Sequence, residues 1–561
     1  MVSAVFQLSI VTREHRSAVV STEWSASHNQ TPIIMRKFEK TQILKNVGSS
    51  WLALVINILV GIFLTPIIVH RLGDTAYGIW VMIFSITGYY GMFDLGIRSS
   101  IVRYVSKFTA TRETEGLARH INTSLFTYTV IGTLAMTVTV ALTLSLHQLF
   151  PKMNPGMLSQ ARWLMLMAGG SVALGFPLGV LGGILDGLQR FYITNWTAIL
   201  STLLRAALIM YALHHARGLL TVAAITVSMP ILTSILRGFI VSRLLPLPLG
   251  LKYVDRESFK QMAHYSATTS IVIVAAQLRF RTNELIVGKM ISMAAVTYFT
   301  FGSRLVDYSQ QLVISLGQIF VPMSSQSEAV GNMDRLRKLY VAGNRACAFI
   351  IYPMCAALLI LGKSAIEAWV GHKYVATSYP ITVILVIPMT LFLMQGASGR
   401  ILLGMGKQRD FAFVVLMEGI ANLILSILLV RPFGIAGDAM GTAIPMLLTT
   451  LWFLPRHMRK QLGVPVKTLL REAYMLPLLL AAPLAATLLV LQHWRFAHNL
   501  RQLAFQSLAG GAVYGAGLLW AYRSNRLFHV GDLKLIGEGA TTEGLELPPI
   551  AAGYAPEEED F

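Results

Sequence analysis

Residues 47–69 read VGSSWLALVINILVGIFLTPIIV and contain no charged side chain. A helix rises about 1.5 Å per residue and the hydrocarbon core of a bilayer is about 30 Å thick, so this run is long enough to cross one. A short polar turn, His70-Arg71-Leu72-Gly73-Asp74, separates it from a second apolar run. The same ruler, carried along the chain, places fourteen membrane-spanning helices at 47–69, 77–97, 121–146, 161–185, 195–214, 220–244, 264–289, 294–321, 346–368, 376–403, 411–431, 435–455, 470–491 and 502–522. The connections between them are too short to fold as a separate domain. Composition agrees: of 561 residues, 54% are hydrophobic and 13% charged, with a mean hydropathy of +0.60. Such values exclude a soluble catalyst, a disordered chain and a disulfide-rich secreted domain. Cys347 and Cys355 stand too far apart along one helix to bridge each other.

The net charge is +19 and the pI about 9.9. In so apolar a chain this excess points to anionic lipid head groups and not to nucleic acid. With the N-terminus inside, the runs Arg98/Arg103/Lys107/Arg112/Arg119, Arg335/Arg337/Lys338/Arg345 and Arg456/Arg459/Lys460/Lys467/Arg471 all fall on the inner face. That bias orients a multi-pass protein with both termini cytoplasmic and an even number of spans. Residues 1–46 lack a signal-peptide pattern and read as a disordered cytoplasmic tail; Met35-Arg36-Lys37 opens a basic lead into the first span, so Met35 is a second candidate start. The tail 523–561 ends Glu557-Glu558-Glu559-Asp560-Phe561 and reads as an acidic, solvated cytoplasmic segment.

The opening stretch has a second copy. Ile68-Val69 falls on Ile286-Val287, and in the same register Arg71 falls on Lys289, Ala76 on Ala294 and Ser85 on Ser303. Farther on, Gly187-Leu-Gln-Arg190 falls on Gly406-Lys-Gln-Arg409 at nearly the same offset. Six spans per copy is an even number, so both copies enter from one side and form parallel repeats. The expected architecture is an all-α integral membrane protein. An N-lobe at 47–245 and a C-lobe at 264–455 flank a central cavity; 246–263 is a cytoplasmic linker, and 470–522 adds two helices outside the repeat. Alternating access by rocking lobes is the mechanism this architecture supports.

Ionisable groups at membrane depth cost about 2.5–3.5 kcal/mol each on insertion scales, so they mark cavities and pathways. The embedded arginines are Arg205, Arg237, Arg279, Arg281 and Arg304; the acids are Glu284, Asp307 and Glu418, with Asp94 near the inner end of the second span. In the eighth span Thr300, Arg304, Asp307, Gln311, Ser315 and Gln318 recur at three- and four-residue spacing, which puts them on one face. Gln277, Arg281, Glu284 and Gly288 form a shorter stripe in the seventh, with Arg279 pointing away. Arg281–Glu284 and Arg304–Asp307 have the spacing of neutralising pairs, and structural ion pairs are the competing explanation. The expected substrate cavity is lined by the five arginines with Gln277, Thr300 and Gln311, Arg281 and Arg304 foremost. Guanidinium clamps phosphate and pyrophosphate through paired hydrogen bonds, which favours an anionic substrate over a cationic drug. Asp94, Glu284, Asp307 and Glu418 are the candidates for charge pairing or for a coupling proton or sodium ion. No cofactor is expected, and no HExxH, CxxC or nucleophile elbow points to an enzyme.

Asn46-Val-Gly-Ser-Ser-Trp51, Thr65-Pro66, Leu72-Gly-Asp74-Thr-Ala-Tyr77-Gly-Ile-Trp80 and Phe93-Asp94-Leu-Gly96…Arg98…Val102-Arg103-Tyr104 resemble the bacterial polysaccharide transporter (O-antigen flippase-like) family. Its superfamily also holds the multidrug and toxic-compound extruders and the lipid II flippase. The resemblance is specific over 36–107. It implies a flippase moving undecaprenyl-pyrophosphate-linked oligosaccharide repeat units to the periplasmic leaflet of the bacterial inner membrane for surface polysaccharide, O-antigen or exopolysaccharide. It further implies a cationic lumen, ion-coupled antiport, and work alongside a polymerase and chain-length machinery. Asp94 falls on the family's Asp-x-Gly position, with Arg98 and Arg103 as inner-gate basic residues. The alternative is a cation-coupled small-molecule or drug exporter of the same fold.

Overall fold

In hydrocarbon every backbone N–H and C=O must find its partner inside the protein, so apolar runs of this kind become helices. The computed structural model describes residues 33–94, 96–245, 248–262, 274, 277, 281–317, 319–407 and 409–524, and among them helix is the only regular structure. In chain order the helices are α1 (Ile33–Leu72), α2 (Asp74–Gly88), α3 (Ile97–Thr111), α4 (Thr114–Leu149), α5 (Pro155–Gly187), α6 (Phe191–His214), α7 (Leu219–Leu244), α8 (Asn283–Met290), α9 (Met293–Gly317), α10 (Phe320–Ala329), α11 (Met333–Val370), α12 (Val375–Leu393), α13 (Gly396–Gly404), α14 (Arg409–Leu448), α15 (Leu454–Leu462), α16 (Val466–Leu469), α17 (Met475–Trp494) and α18 (Leu500–Arg523). A 3-10 segment, Tyr89–Asp94, extends α2, and π-helical turns at Thr449–Phe453 and Leu470–Tyr474 precede α15 and α17.

Nine helices among the described residues are long and apolar enough to cross a membrane. One of them, Arg409–Leu462, has 54 residues, which at 1.5 Å each would be roughly 80 Å and far more than one crossing needs. It is broken at Gly434, whose φ of 58° and ψ of −136° lie outside helical space and suit only glycine. The two expected spans 411–431 and 435–455 therefore lie on either side of a bend. α9 falls short on hydropathy because it carries the polar stripe. The expected second span, 77–97, is not one continuous helix: it runs through α2 into the 3-10 segment and ends where α3 begins.

The first helix begins at Ile33, inside the stretch read as a disordered tail. Arg279, Gln318, most of the seventh span, residues 1–32 and the acidic tail from 525 onward lie outside the described residues.

By contacts the chain divides into two compact units. Unit 1 holds the residues up to Arg304 with Trp369–Ile381 and Ala412–Pro445; unit 2 holds Leu305–Ala368, Thr382–Phe411 and the residues from Met446 onward. In unit 1, α4 packs on α5, α5 on α7, and α1 on α6. The core runs through Ile79, Met82, Ile101, Ile121, Leu164 and Val180. Gly78 marks the closest approach of α2 to α9: a Cβ there would overlap the Met293 carbonyl. The linker is tied down as well. Asn122 donates to the Pro248 carbonyl (3.0 Å) and accepts from Gly250 N (2.9 Å), while Asp255 N donates to the Thr123 hydroxyl (3.0 Å). The Ser258 backbone N–H donated to its carboxylate holds the Asp255 pKa below the usual range. In unit 2, α17 and α18 pack on each other, and Leu480, Leu484, Leu488 and Tyr514 close over Phe349 and Leu361. Tyr514 donates to the Phe349 carbonyl (2.7 Å). Large apolar side chains such as Phe63, Leu144, Trp163 and Leu508 are exposed, as lipid-facing residues of a membrane protein are.

Candidate functional site

Three polar clusters among the described residues of unit 1 bear on function. The first is acidic and lies where α8 meets the two halves of α14. Glu418, Asn422 and Ser426 recur every fourth residue before the Gly434 bend, and Asp438 and Thr442 repeat that spacing after it, so each set forms one face. Asn283 Nδ2 donates to Thr442 Oγ1 (3.0 Å), and Ser426 Oγ donates to Asn422 Oδ1 (2.9 Å). Asn422 Oδ1 lies 3.3 Å from Thr442 Oγ1, which closes the network. Three carboxylates adjoin it. Glu418 is 4% exposed and Asp438 0%, and Glu284 lies near enough to Asp438 for their charges to repel. Ser426 is beside Asp438, yet neither carboxylate oxygen of Asp438 has a hydrogen-bond partner among the described residues. The close fit requires Gly441, where a Cβ would run into Ser426.

The second cluster is basic, at the end of unit 1 where α5 finishes and α6 begins. Arg98 Nη2 binds Asp186 Oδ2 (2.8 Å), and Thr194 Oγ1 donates to Asp186 Oδ1 (3.1 Å). Arg237 Nε donates to Thr197 Oγ1 (2.9 Å) and its Nη2 to the Thr194 carbonyl (3.0 Å). Gly182 sits between the two guanidiniums: a Cβ there would lie 3.6 Å from Arg98 Nη2 and 3.7 Å from Arg237 Nη1. Two like charges are thus held side by side, which burial would disfavour without a counter-charge. Asp186 supplies one negative charge, and Arg98 remains half exposed.

The third cluster faces the 3-10 segment after α2. The Arg281 guanidinium lies over Gly88, the Gln277 amide packs on Gly91, and Tyr89 OH hydrogen-bonds Thr282 Oγ1 (2.7 Å). The absence of side chains at Gly88 and Gly91 lets these long polar groups approach the backbone.

Placement of the expected residues follows from these clusters. Arg237 and Arg98 come together, as do Arg281 and Gln277 with Thr282; Arg205 stands apart, half-buried on α6. Asp94 is not the partner of Arg98. It accepts from Tyr128 OH, and Asp186 takes the arginine. Arg103 is exposed on α3, its guanidinium 5.7 Å from the Tyr104 ring centroid. Arg304, Asp307 and Gln311 are half-buried on α9. Thr300 is 3% exposed and its hydroxyl returns to the Val296 carbonyl of its own helix (2.7 Å), as Ser315 does to Gln311 (2.9 Å). Part of the α9 stripe is therefore satisfied within the helix and needs no water-filled cavity. Asp438, Asn422 and Asp186 were missed by the sequence reading. The first two were legible as four-residue spacing about Gly434; Asp186, at a helix end, carried no signal of its own.

A family model described as "Polysaccharide biosynthesis protein" matches residues 43–328, just over half of the chain. The chain is 20% identical over 429 residues to the uncharacterized membrane protein EpsK of Bacillus subtilis (strain 168), covering 74% of this chain and 83% of EpsK. Among solved structures, the lipid II flippase MurJ in an inward closed conformation is similar with a TM-score of 0.64 at 15% identity, over 86% of this chain and 99% of MurJ. An inward-facing multidrug resistance MATE family transporter of the MOP superfamily is similar with a TM-score of 0.60 at 14% identity, over 72% of this chain and 95% of that one. At such identities the shared property is the fold.

Proposed function

The chain belongs to the polysaccharide biosynthesis protein family, and on that premise we propose that it flips undecaprenyl-pyrophosphate-linked oligosaccharide repeat units between the leaflets of the bacterial inner membrane by alternating access. The observation that carries the reading is the Arg98–Gly182–Arg237 arrangement: two guanidiniums held side by side, with a single carboxylate as competitor. Such a pair suits a pyrophosphate, whose two phosphoryl groups each accept paired hydrogen bonds. In this reading the end of unit 1 that carries Asn46, Asp186 and Arg98 faces the cytoplasm, together with both termini. Substrate enters there and leaves at the opposite face, for assembly into O-antigen, capsule or exopolysaccharide by a polymerase and its chain-length partner.

Coupling belongs, in the same proposal, to the acidic cluster. Asp438 is fully buried with Glu284 near enough to repel it, and Glu418 stands one helical turn before Asn422 on the same face. Charge at such depth is costly, so a bound proton or sodium ion would relieve the repulsion at Asp438. The sequence-derived candidates Glu284 and Glu418 are retained for this role; Asp94 and Asp307 are not part of the cluster. A drug exporter of the same fold would share the acids, but the paired arginines favour an anionic cargo.

The test is deletion of the gene in a strain with no second transporter. The expected result is accumulation of lipid-linked repeat units on the cytoplasmic leaflet and loss of surface polysaccharide. Normal surface polysaccharide, with raised drug sensitivity in its place, would overturn the flippase reading.

A further inference from the structure

At the other end of unit 1 a polar cavity of about 340 Å³ opens between the α1–α2 turn, the start of α5 and the α6–α7 turn. Its lining includes Arg71, Gln160 and Arg217, and no carboxylate is among the lining residues. Neither arginine has an ion pair or side-chain hydrogen bond among the described residues. Asp74, the nearest acid in sequence to Arg71, is instead occupied by Lys373 (3.1 Å) and by the Tyr374 hydroxyl. The backbone of Gly218 and Leu219, which begins the 26-residue helix α7, forms another wall, and no side chain caps that helix start. Two positive charges and uncapped backbone N–H groups thus share one recess, with no carboxylate among its lining residues. The volume lies within the range of small-ligand sites.

Position gives this recess its meaning. Asn46 on α1 is tied to the Gln189 carbonyl (3.0 Å) beside the Arg98–Asp186 pair, while Arg71 is at the far end of the same helix. At 1.5 Å per residue the two ends are roughly 35–40 Å apart, about one bilayer. Unit 1 therefore has an arginine pair at each of its two ends.

We propose that Arg71 and Arg217, with Gln160, form an exit-side site for the pyrophosphate of the flipped lipid-linked substrate, at the outer membrane interface. This rests on the flippase reading and its orientation. Charge decides for pyrophosphate over the phosphodiester of ordinary phospholipid: two guanidiniums match a group of at least two negative charges and are in excess over one.

The experiment uses the full-length protein in phosphatidylcholine nanodiscs, with arginines modified by phenylglyoxal and each site read by peptide mass spectrometry. Inorganic pyrophosphate should slow modification of Arg71 and Arg217 by about tenfold, the effect of a site occupied most of the time. Exposed Arg162, which is on α5 but outside the lining, should not change. An isoprenyl pyrophosphate placed in the nanodisc should protect the same two arginines at lower concentration. No protection, equal protection of Arg162, or protection by phosphatidylglycerol as complete as by the isoprenyl pyrophosphate would overturn the proposal. This assay needs no transport, so its failure is separate from that of the flippase reading, which is judged by lipid accumulation in the deletion strain.

Discussion

The basic and acidic clusters of unit 1 treat charge in opposite ways, the first half open at an end of the unit and the second buried. The Arg98–Arg237 pair keeps one guanidinium half exposed and offers it a single, displaceable carboxylate, Asp186. The acidic cluster closes on itself: Asn283, Glu418, Asn422, Ser426, Asp438 and Thr442 are all buried, with amides and hydroxyls filling the space between them. An open, half-satisfied pair can exchange its partner for a large ligand. A sealed one can exchange with nothing larger than an ion or a proton. This difference is why the proposed function gives cargo recognition to the first and coupling to the second.

The comparison can be broken at three points. The largest effect is expected for Arg237→Ala, which leaves Arg98 alone beside Asp186. Export, measured as surface polysaccharide at matched protein level, should fall by about a hundredfold, the loss of two charge-assisted hydrogen bonds. Unchanged export would make the pair structural. Asp438→Asn removes one carboxylate without changing shape. Flipping in proteoliposomes should lose its response to an imposed proton or sodium gradient and fall by about tenfold, the low end of a coupling free energy. A variant that still responds to both gradients would remove Asp438 from coupling. The smallest effect on transport chemistry, but a clear one on folding, belongs to Gly441→Ala, whose added methyl meets Ser426. It should cost about 1–3 kcal/mol and lower the thermal unfolding temperature of purified protein, by the ordinary penalty of overpacking. No change would mean that the acidic cluster is looser than its geometry.

Much of this was legible before any coordinates. The all-helical, membrane-spanning character and the polar stripe on α9 follow from hydropathy and short-range periodicity. The described parts of the expected spans are helical for most of their length, with interruptions at Gly96, Thr282, Ile319 and Met394–Gln395 in the second, seventh, eighth and tenth. The site was legible in residue type and less so in partnership. Arg98 and Asp94 look like neighbours along the chain, yet Asp94 turns to Tyr128 on α4 and Arg98 to Asp186 on α5. Thr300 looked like cavity lining and proves to be satisfied by its own helix. Asp438 falls within the expected span 435–455 but was not among the embedded acids read from the sequence; its nearness to Glu284 follows from packing beyond the Gly434 bend.

Hydropathy and helix length in the sequence are enough to place this chain in a membrane as a multi-pass helical protein. Backbone desolvation demands an apolar helix of bilayer length, and that demand is met within each segment alone. The sequence also determined the stock of charges available at depth. Which of those charges meet is set by tertiary packing. The meeting of Asp438 with Glu284, or of Arg98 with Arg237 across Gly182, depends on the rotation and depth of helices more than a hundred residues apart, and no local pattern encodes it.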